Sequence, residues 1–165
     1  MGRPVINLDD LEYSRTMGHG ELFEAELAAV GPLIGAFKLG YNVTRVPPGK
    51  RAFPLHNHHA NEEAFFILEG EGTLRFGHET YPVRKGDFIS CPAGGPEVAH
   101  QLINTGGSQL LYLGLSTTLD TEVVQYPDSG KVAVVAGRLP GMRMQEAPFV
   151  GIYEEGRRLG YWDGE

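Results

Sequence analysis

From residue 39 onward the chain is cut into short apolar runs by turn-forming residues, and this punctuation narrows what it can fold into. Runs at residues 41–46, 64–68, 73–76, 80–83, 88–91, 98–104 and 110–117 are separated by Pro47-Pro48-Gly49, Gly70-Glu71-Gly72, Gly77-His78 and Lys85-Gly86-Asp87. Such runs are too short for helices of ordinary length, whereas turns at this spacing suit a sandwich or closed barrel of strands. The 23 glycines and 11 prolines agree with many tight turns. Upstream, Phe23, Ala25, Leu27 and Ala29 alternate with Glu24, Glu26 and Ala28, which predicts a strand over 22–30 rather than a helix. Residues 1–20 are polar and read as irregular, and residues 132–136 read as a strand inside a Pro- and Gly-rich tail.

A chain of 165 residues supports one well-filled core, so a single all-β domain is expected. It divides into an N-terminal extension (1–38) packing on the barrel, a core barrel (39–118) and a C-terminal extension (119–165). No internal repeat of 20–50 residues is visible. Along residues 63–68 both parities are apolar after Glu63: Phe65 and Ile67 share its face, and Ala64, Phe66 and Leu68 take the other. One face belongs to a barrel interior. The second needs cover from the N-terminal strand, the tail or a partner subunit, and a homodimer is expected.

The formal charge of −7 opposes binding to nucleic acid or to an anionic membrane, whose affinity comes from Lys and Arg. A small-molecule substrate is the expected partner. No run approaches the ~20 apolar residues of a membrane span, and residues 1–10 lack the apolar segment of a secretory signal. A cytoplasmic location follows as an expectation, and Cys91, alone, fits a reducing compartment. Cys91 reads as a small buried hydrophobe.

Four residues carry the chemistry. His56 and His58 are one residue apart, so on a strand both imidazoles point to one side and Asn57 to the other. Glu63 opens the next strand and a short turn can bring its carboxylate beside them. His100 arrives on a later strand if the sheet closes. Three imidazoles and one carboxylate suit a divalent ion such as Zn, Mn, Fe or Ni, and leave about two octahedral positions for substrate. Glu62 is a rival carboxylate within the same reach.

These residues resemble the cupin superfamily over residues 41–115. Gly49, His56, His58, Glu63 and Gly70 match its first motif, with a spacer one residue longer than usual; the six-residue count to Gly70 favours Glu63 over Glu62. Gly86, Pro92, Gly94, His100 and Asn104 match the second motif, with a longer loop at 95–99. The segments 125–128 and 161–165 are similar to those of a subgroup of small cupins labelled sugar-phosphate isomerases by similarity. The resemblance implies a single-domain β-barrel (jelly roll) holding a metal near one mouth on His56, His58, Glu63 and His100. It implies a metal-dependent enzyme acting on a small oxygen-rich metabolite such as a sugar or sugar phosphate, isomerase-like in chemistry. One fold hosts many reactions, so a non-haem iron dioxygenase and a non-catalytic binding cupin stand as alternatives. Catalytic residues are unassigned; Glu62, His59 and Tyr112 are the available bases. His59 opposes His58 in parity, which places it at the surface or behind a ligand, and His19 and His78 fall in expected loops. Arg45, Lys50, Arg51 and Arg75 could meet an anionic substrate or serve as surface charge, and Phe53, Phe65, Phe76 and Tyr112 are expected to pack the barrel.

Overall fold

Alternation of buried and exposed side chains turns the apolar runs into strands, and the turn residues fold them against one another. The computed structural model describes residues 3–137, 144–156 and 158–165. Its strands are β1 (Arg15–His19), β2 (Phe23–Ala29), β3 (Leu39–Val46), β4 (Asn57–His58), β5 (Glu63–Glu69), β6 (Glu71–Phe76), β7 (Glu79–Arg84), β8 (Phe88–Cys91), β9 (His100–Ile103), β10 (Leu110–Thr117), β11 (Glu122–Tyr126), β12 (Lys131–Ala136) and β13 (Phe149–Glu154). The helix α1 (Val30–Leu33) is a single turn. Among the described residues no helix is long and apolar enough to cross a membrane.

The architecture is an all-β jelly roll, as the turn spacing predicts. One wall is a six-stranded sheet ordered β1-β2-β3-β10-β5-β8. The other combines the sheet β7-β6-β9 with the sheet β13-β12-β11-β4, joined where His56 bridges His100. Between the walls, Val46, Ile67, Leu110 and Tyr112 are fully buried and pack with Ala25, Leu27, Leu74, Ile89, Cys91 and Leu102. Each such large apolar side chain contributes about 1.5–3 kcal/mol by leaving water. Asn104, also fully buried, donates from Nδ2 to the carbonyls of Val46 (2.8 Å) and Ser108 (2.8 Å), tying the end of β9 to β3 and to the turn before β10.

Several local expectations change. Residues 15–19 form β1, although nothing in Arg15-Thr16-Met17-Gly18-His19 alternates in hydrophobicity. The strand exists through its ladder to β2, from Arg15↔Leu27 to His19↔Phe23, so His19 ends a strand instead of sitting in a loop. Residues 96–98 are a 3-10 turn, and β9 starts only at His100. The tail carries two further strands around β12. In β11 the inward position is a buried Glu122, which hides the apolar period, and in β13 the apolar side chains Phe149, Val150, Ile152 and Tyr153 are exposed. The N-terminal strands extend the six-stranded sheet at the β3 edge. On the outer face of that sheet Phe66 packs against Phe88 (ring centroids 4.4 Å), and Phe88 is 83% exposed.

Candidate metal centre

The wall containing β9 delivers three imidazoles to one place by backbone pairing alone. His56 N donates to His100 O (3.2 Å) and His100 N to His56 O (2.8 Å). Residues paired directly across strands project to the same face, and the two rings lie 4.6 Å apart. His58, two residues on, repeats that direction, with its ring 5.1 Å from that of His56. Asn57 points the other way, donating to Gly94 O at 2.8 Å. Glu63 comes from the opposite wall, where β5 places it across from Cys91 and Ser116. Its Oε2 lies 3.1 Å from His100 Nε2 and 3.8 Å from His56 Nε2, and its Oε1 3.6 Å from His58 Nε2. One ligating atom from each of the four lies within 4.8 Å of all the others.

The far side of each ring explains which nitrogen faces inward. His56 Nδ1 meets Pro54 O at 2.9 Å, His100 Nδ1 meets Val98 O at 3.3 Å, and His58 Nδ1 meets Glu122 Oε2 at 3.3 Å. Carbonyl and carboxylate oxygens only accept, so these contacts are hydrogen bonds when Nδ1 carries the proton. In a neutral imidazole that leaves Nε2 with a lone pair. Three such lone pairs and a carboxylate then face one another in a partly enclosed space, an arrangement that a cation satisfies.

Charge states follow from the surroundings. Burial raises the Glu63 carboxyl, but its interactions with the facing His100, His56 and His58 rings outweigh it and hold the group well below the usual carboxylate range. Burial lowers His100, and Glu63 offsets this only in part. For Glu122, burial again raises, yet the bonds from His58 and the Asn61 backbone pull it down to about 2. At neutral pH both carboxyls are therefore ionised and His100 is neutral. All three shifts give acid the same sign. Below the ordinary histidine value of 6.5 the unfolded chain takes up a proton that folded His100 resists, and below 4.5 the same holds for the two carboxyls. The unfolded state then binds more protons, so stability falls as pH falls. Glu122's share is complete above 4.5 and is lost as pH drops through about 2. The melting temperature of metal-free protein is expected to decline steadily from pH 7 to pH 3; a flat profile would contradict these assignments.

Other residues singled out in the sequence land elsewhere. Glu62 is exposed, and its backbone N–H donates to Thr117 Oγ1. His59 is exposed, with Nε2 2.7 Å from Gln125 Oε1, and His78 sits in the turn between β6 and β7. Arg75 forms a two-point ion pair with Asp128 (2.7 and 3.0 Å), Arg45 lies over the Tyr13 ring, Arg51 over Phe23, and Lys50 Nζ donates to Glu21 O. Cys91 is buried, and burial pushes its thiol up, away from nucleophile chemistry. Phe76 packs against the core.

Beside His56 and Glu63 lies a cavity of about 70 Å³ lined also by Asn42, Phe53, Phe65, Tyr112, Gly114, Leu115 and Ser116. Gly114 makes room for Asn42, because a Cβ there would stand 3.0 Å from Asn42 Oδ1. Of the three candidate bases only Tyr112 lines this cavity, and burial pushes its hydroxyl up, so it keeps its proton. A second cavity of about 50 Å³ lies between His58, Glu63 and Glu122. Among the described residues, neither is lined by Lys or Arg.

Two residues that touch the cluster escape the sequence reading: Glu122, and Tyr126, whose ring stacks on His56 (6.2 Å between centroids, 28° between planes). Both lie on the inward face of β11 with Val124, which pairs with His58. The period-two pattern Glu122, Val124, Tyr126 is the signal that could have found them.

Residues 42–116 match the Cupin domain family. Over 84 residues the chain is 36% identical to an uncharacterized protein of Methanocaldococcus jannaschii, a match spanning 48% of this chain and 64% of that one. The chain thus covers less than two thirds of that relative. Among solved structures, a protein of Acidithiobacillus ferrooxidans provisionally named a sugar phosphate isomerase superposes with a TM-score of 0.69 at 27% identity, covering 79% of this chain and 76% of its own. A sugar phosphate isomerase from a cupin superfamily of Silicibacter pomeroyi superposes with a TM-score of 0.73 at 23% identity, covering 88% and 96%.

Proposed function

The chain belongs to the cupin superfamily through residues 42–116, and on that premise we propose that His56, His58, Glu63 and His100 hold a divalent metal ion on which a small, oxygen-rich metabolite is chelated and isomerised. The observation that carries this reading is the common orientation of the rings, each anchored through Nδ1 with Nε2 turned toward one carboxylate. A divalent ion bound there supplies Lewis acidity, polarising a carbonyl and acidifying the adjacent C–H or O–H.

The protein's own groups do the rest. Phe53 and Phe65 wall the cavity and exclude water, Asn42 and Ser116 offer polar contacts to substrate oxygens, and Tyr112 holds a proton that it can donate in a hydrogen bond. The isomerase reading is supported by the names of the Acidithiobacillus and Silicibacter proteins. The cavity qualifies the substrate: it is small and, among the described residues, offers no cation, whereas an enclosed phosphoryl group calls for Arg or Lys. A short unphosphorylated hydroxy- or oxo-compound fits it, and a phosphate would have to project from the mouth. The same smallness favours, as a second reading, retention of a short acid without turnover. The homodimer belongs to the proposal as well, with the exposed Phe88 beside Phe66 as the apolar face it would cover.

Metal analysis of protein purified without added metal or chelator, followed by a thermal-shift screen of sugars, sugar phosphates and short acids, tests the reading. Metal near one equivalent, and exchange of a substrate C–H with deuterated solvent for the best ligand, is the expected result. Iron together with oxygen consumption would replace it by a dioxygenase, and saturable binding without exchange by a binding protein. Failure to take up any divalent ion would overturn it.

A further inference from the structure

We propose that Glu122, on β11 and outside residues 42–116, is a positioning residue that fixes His58 in the tautomer whose Nε2 faces the cluster. The inference deepens the metal-site reading and rests on it for its effect on affinity, though not for its effect on the imidazole.

The three histidines are not anchored alike. His56 and His100 each use the backbone carbonyl two residues earlier, Pro54 O and Val98 O. The corresponding carbonyl for His58 is that of His56, which is engaged by the N–H of His100 in the bridge joining the two sheets. The local solution is thus taken by the backbone pairing that brings the histidines together. The acceptor at His58 Nδ1 comes instead from a strand more than sixty residues away, Glu122 Oε2 at 3.3 Å.

Glu122 is built to stay in place. It is 4% exposed, and its carboxylate accepts hydrogen bonds from the backbone N–H groups of Ala60 (3.1 Å), Asn61 (2.8 Å) and Val123 (2.9 Å), and from the Asn61 side-chain amide. Held by these donors, the carboxylate presents a fixed negative oxygen to His58. A carboxylate behind a ligating imidazole orients the ring and raises its basicity, and its removal costs metal affinity about 10–100-fold. Because the same carboxylate also closes the loop at 59–61, loss of stability alone would not identify its role.

The test uses Glu122→Ala and Glu122→Gln in the full chain, with zinc as the probe ion. The tautomer of His58 is read by nitrogen-15 NMR on metal-free protein at mildly alkaline pH, and zinc affinity by competition with a chelating dye. In the unsubstituted protein His58 is expected to carry its proton on Nδ1. Glu122→Ala should move that proton to Nε2 and weaken zinc about 10–100-fold, while the amide oxygen of Glu122→Gln, still an acceptor, restores part of both. An unchanged tautomer in Glu122→Ala, or zinc affinity within about threefold of the unsubstituted protein, overturns the proposal whatever happens to the melting temperature. Should Glu122→Ala not fold, the unsubstituted protein decides: a His58 proton on Nε2 in the metal-free state overturns the proposal. If the unsubstituted protein takes up neither zinc nor manganese, iron or nickel, the metal reading has failed, and the tautomer measurement alone decides the role of Glu122.

Discussion

Glu63→Ala is expected to strip the ion from the protein while leaving the fold in place. Removing a partner behind a ligand already costs about 10–100-fold in affinity, and removing the carboxylate that, among the described residues, faces all three imidazoles should cost more. The charge balance changes too, since three neutral nitrogens would have to hold a divalent cation without an opposing charge. The fold should survive because Glu63 stands at the start of β5, and the fully buried Ile67, Leu110 and Tyr112 are untouched. Metal content after dialysis and the far-ultraviolet circular dichroism spectrum check both halves. Glu62→Ala is the matched control: that side chain is exposed and outside the cluster, so full loading is expected. A loaded Glu63→Ala beside an empty Glu62→Ala would reverse the choice between the two carboxylates.

Gly70→Ala is expected to produce a large loss of stability. Gly70 joins β5 to β6 with φ at +81°, a left-handed conformation that costs an L side chain about 1–2 kcal/mol. A Cβ there would strike the backbone carbonyl oxygen of Gln109 and approach Leu110 Cα at 3.1 Å. These are backbone atoms at the start of β10, the central strand of its wall, so they cannot swing aside, and overpacking adds about 1–3 kcal/mol. The total, about 2–5 kcal/mol, corresponds to a fall in melting temperature on the order of 10 °C for a chain of this size. A change below about 1 kcal/mol in denaturant unfolding would show that the turn relaxes in a way this geometry does not suggest.

How far the site could be foreseen depended on whether its cause was local. The shared face of His56 and His58 follows from strand alternation, and the place of Glu63 at the head of a strand from the turn before it. Both are readable from a few neighbouring residues. The arrival of His100 was not local, and only the motif spacing from Gly86 to Asn104 pointed to it. Glu122 was marked only by the period-two pattern it shares with Val124 and Tyr126. A carboxylate in an otherwise apolar strand looks like an interruption until the strand is seen beside His58, where the same residue is the fitting acceptor. The strand β1 was hidden for the opposite reason: it is made by pairing with β2 and buries little, so hydrophobic pattern carries no trace of it. The positive charges were ambiguous in sequence because surface pairing and substrate contact demand the same residue types. Only the partners, Asp128 for Arg75 and Tyr13 for Arg45, resolve them.

The donors around the cluster are divided between the two walls, three imidazoles on one and one carboxylate on the other. A cation seated among them is therefore a rivet through the sandwich as well as a reagent. Prising the walls apart would mean breaking coordination, so occupancy and resistance to unfolding rise together, by about 2.7 kcal/mol when free ion stands at a hundred times its dissociation constant. Without the ion, the same molecules would unfold more readily than when loaded.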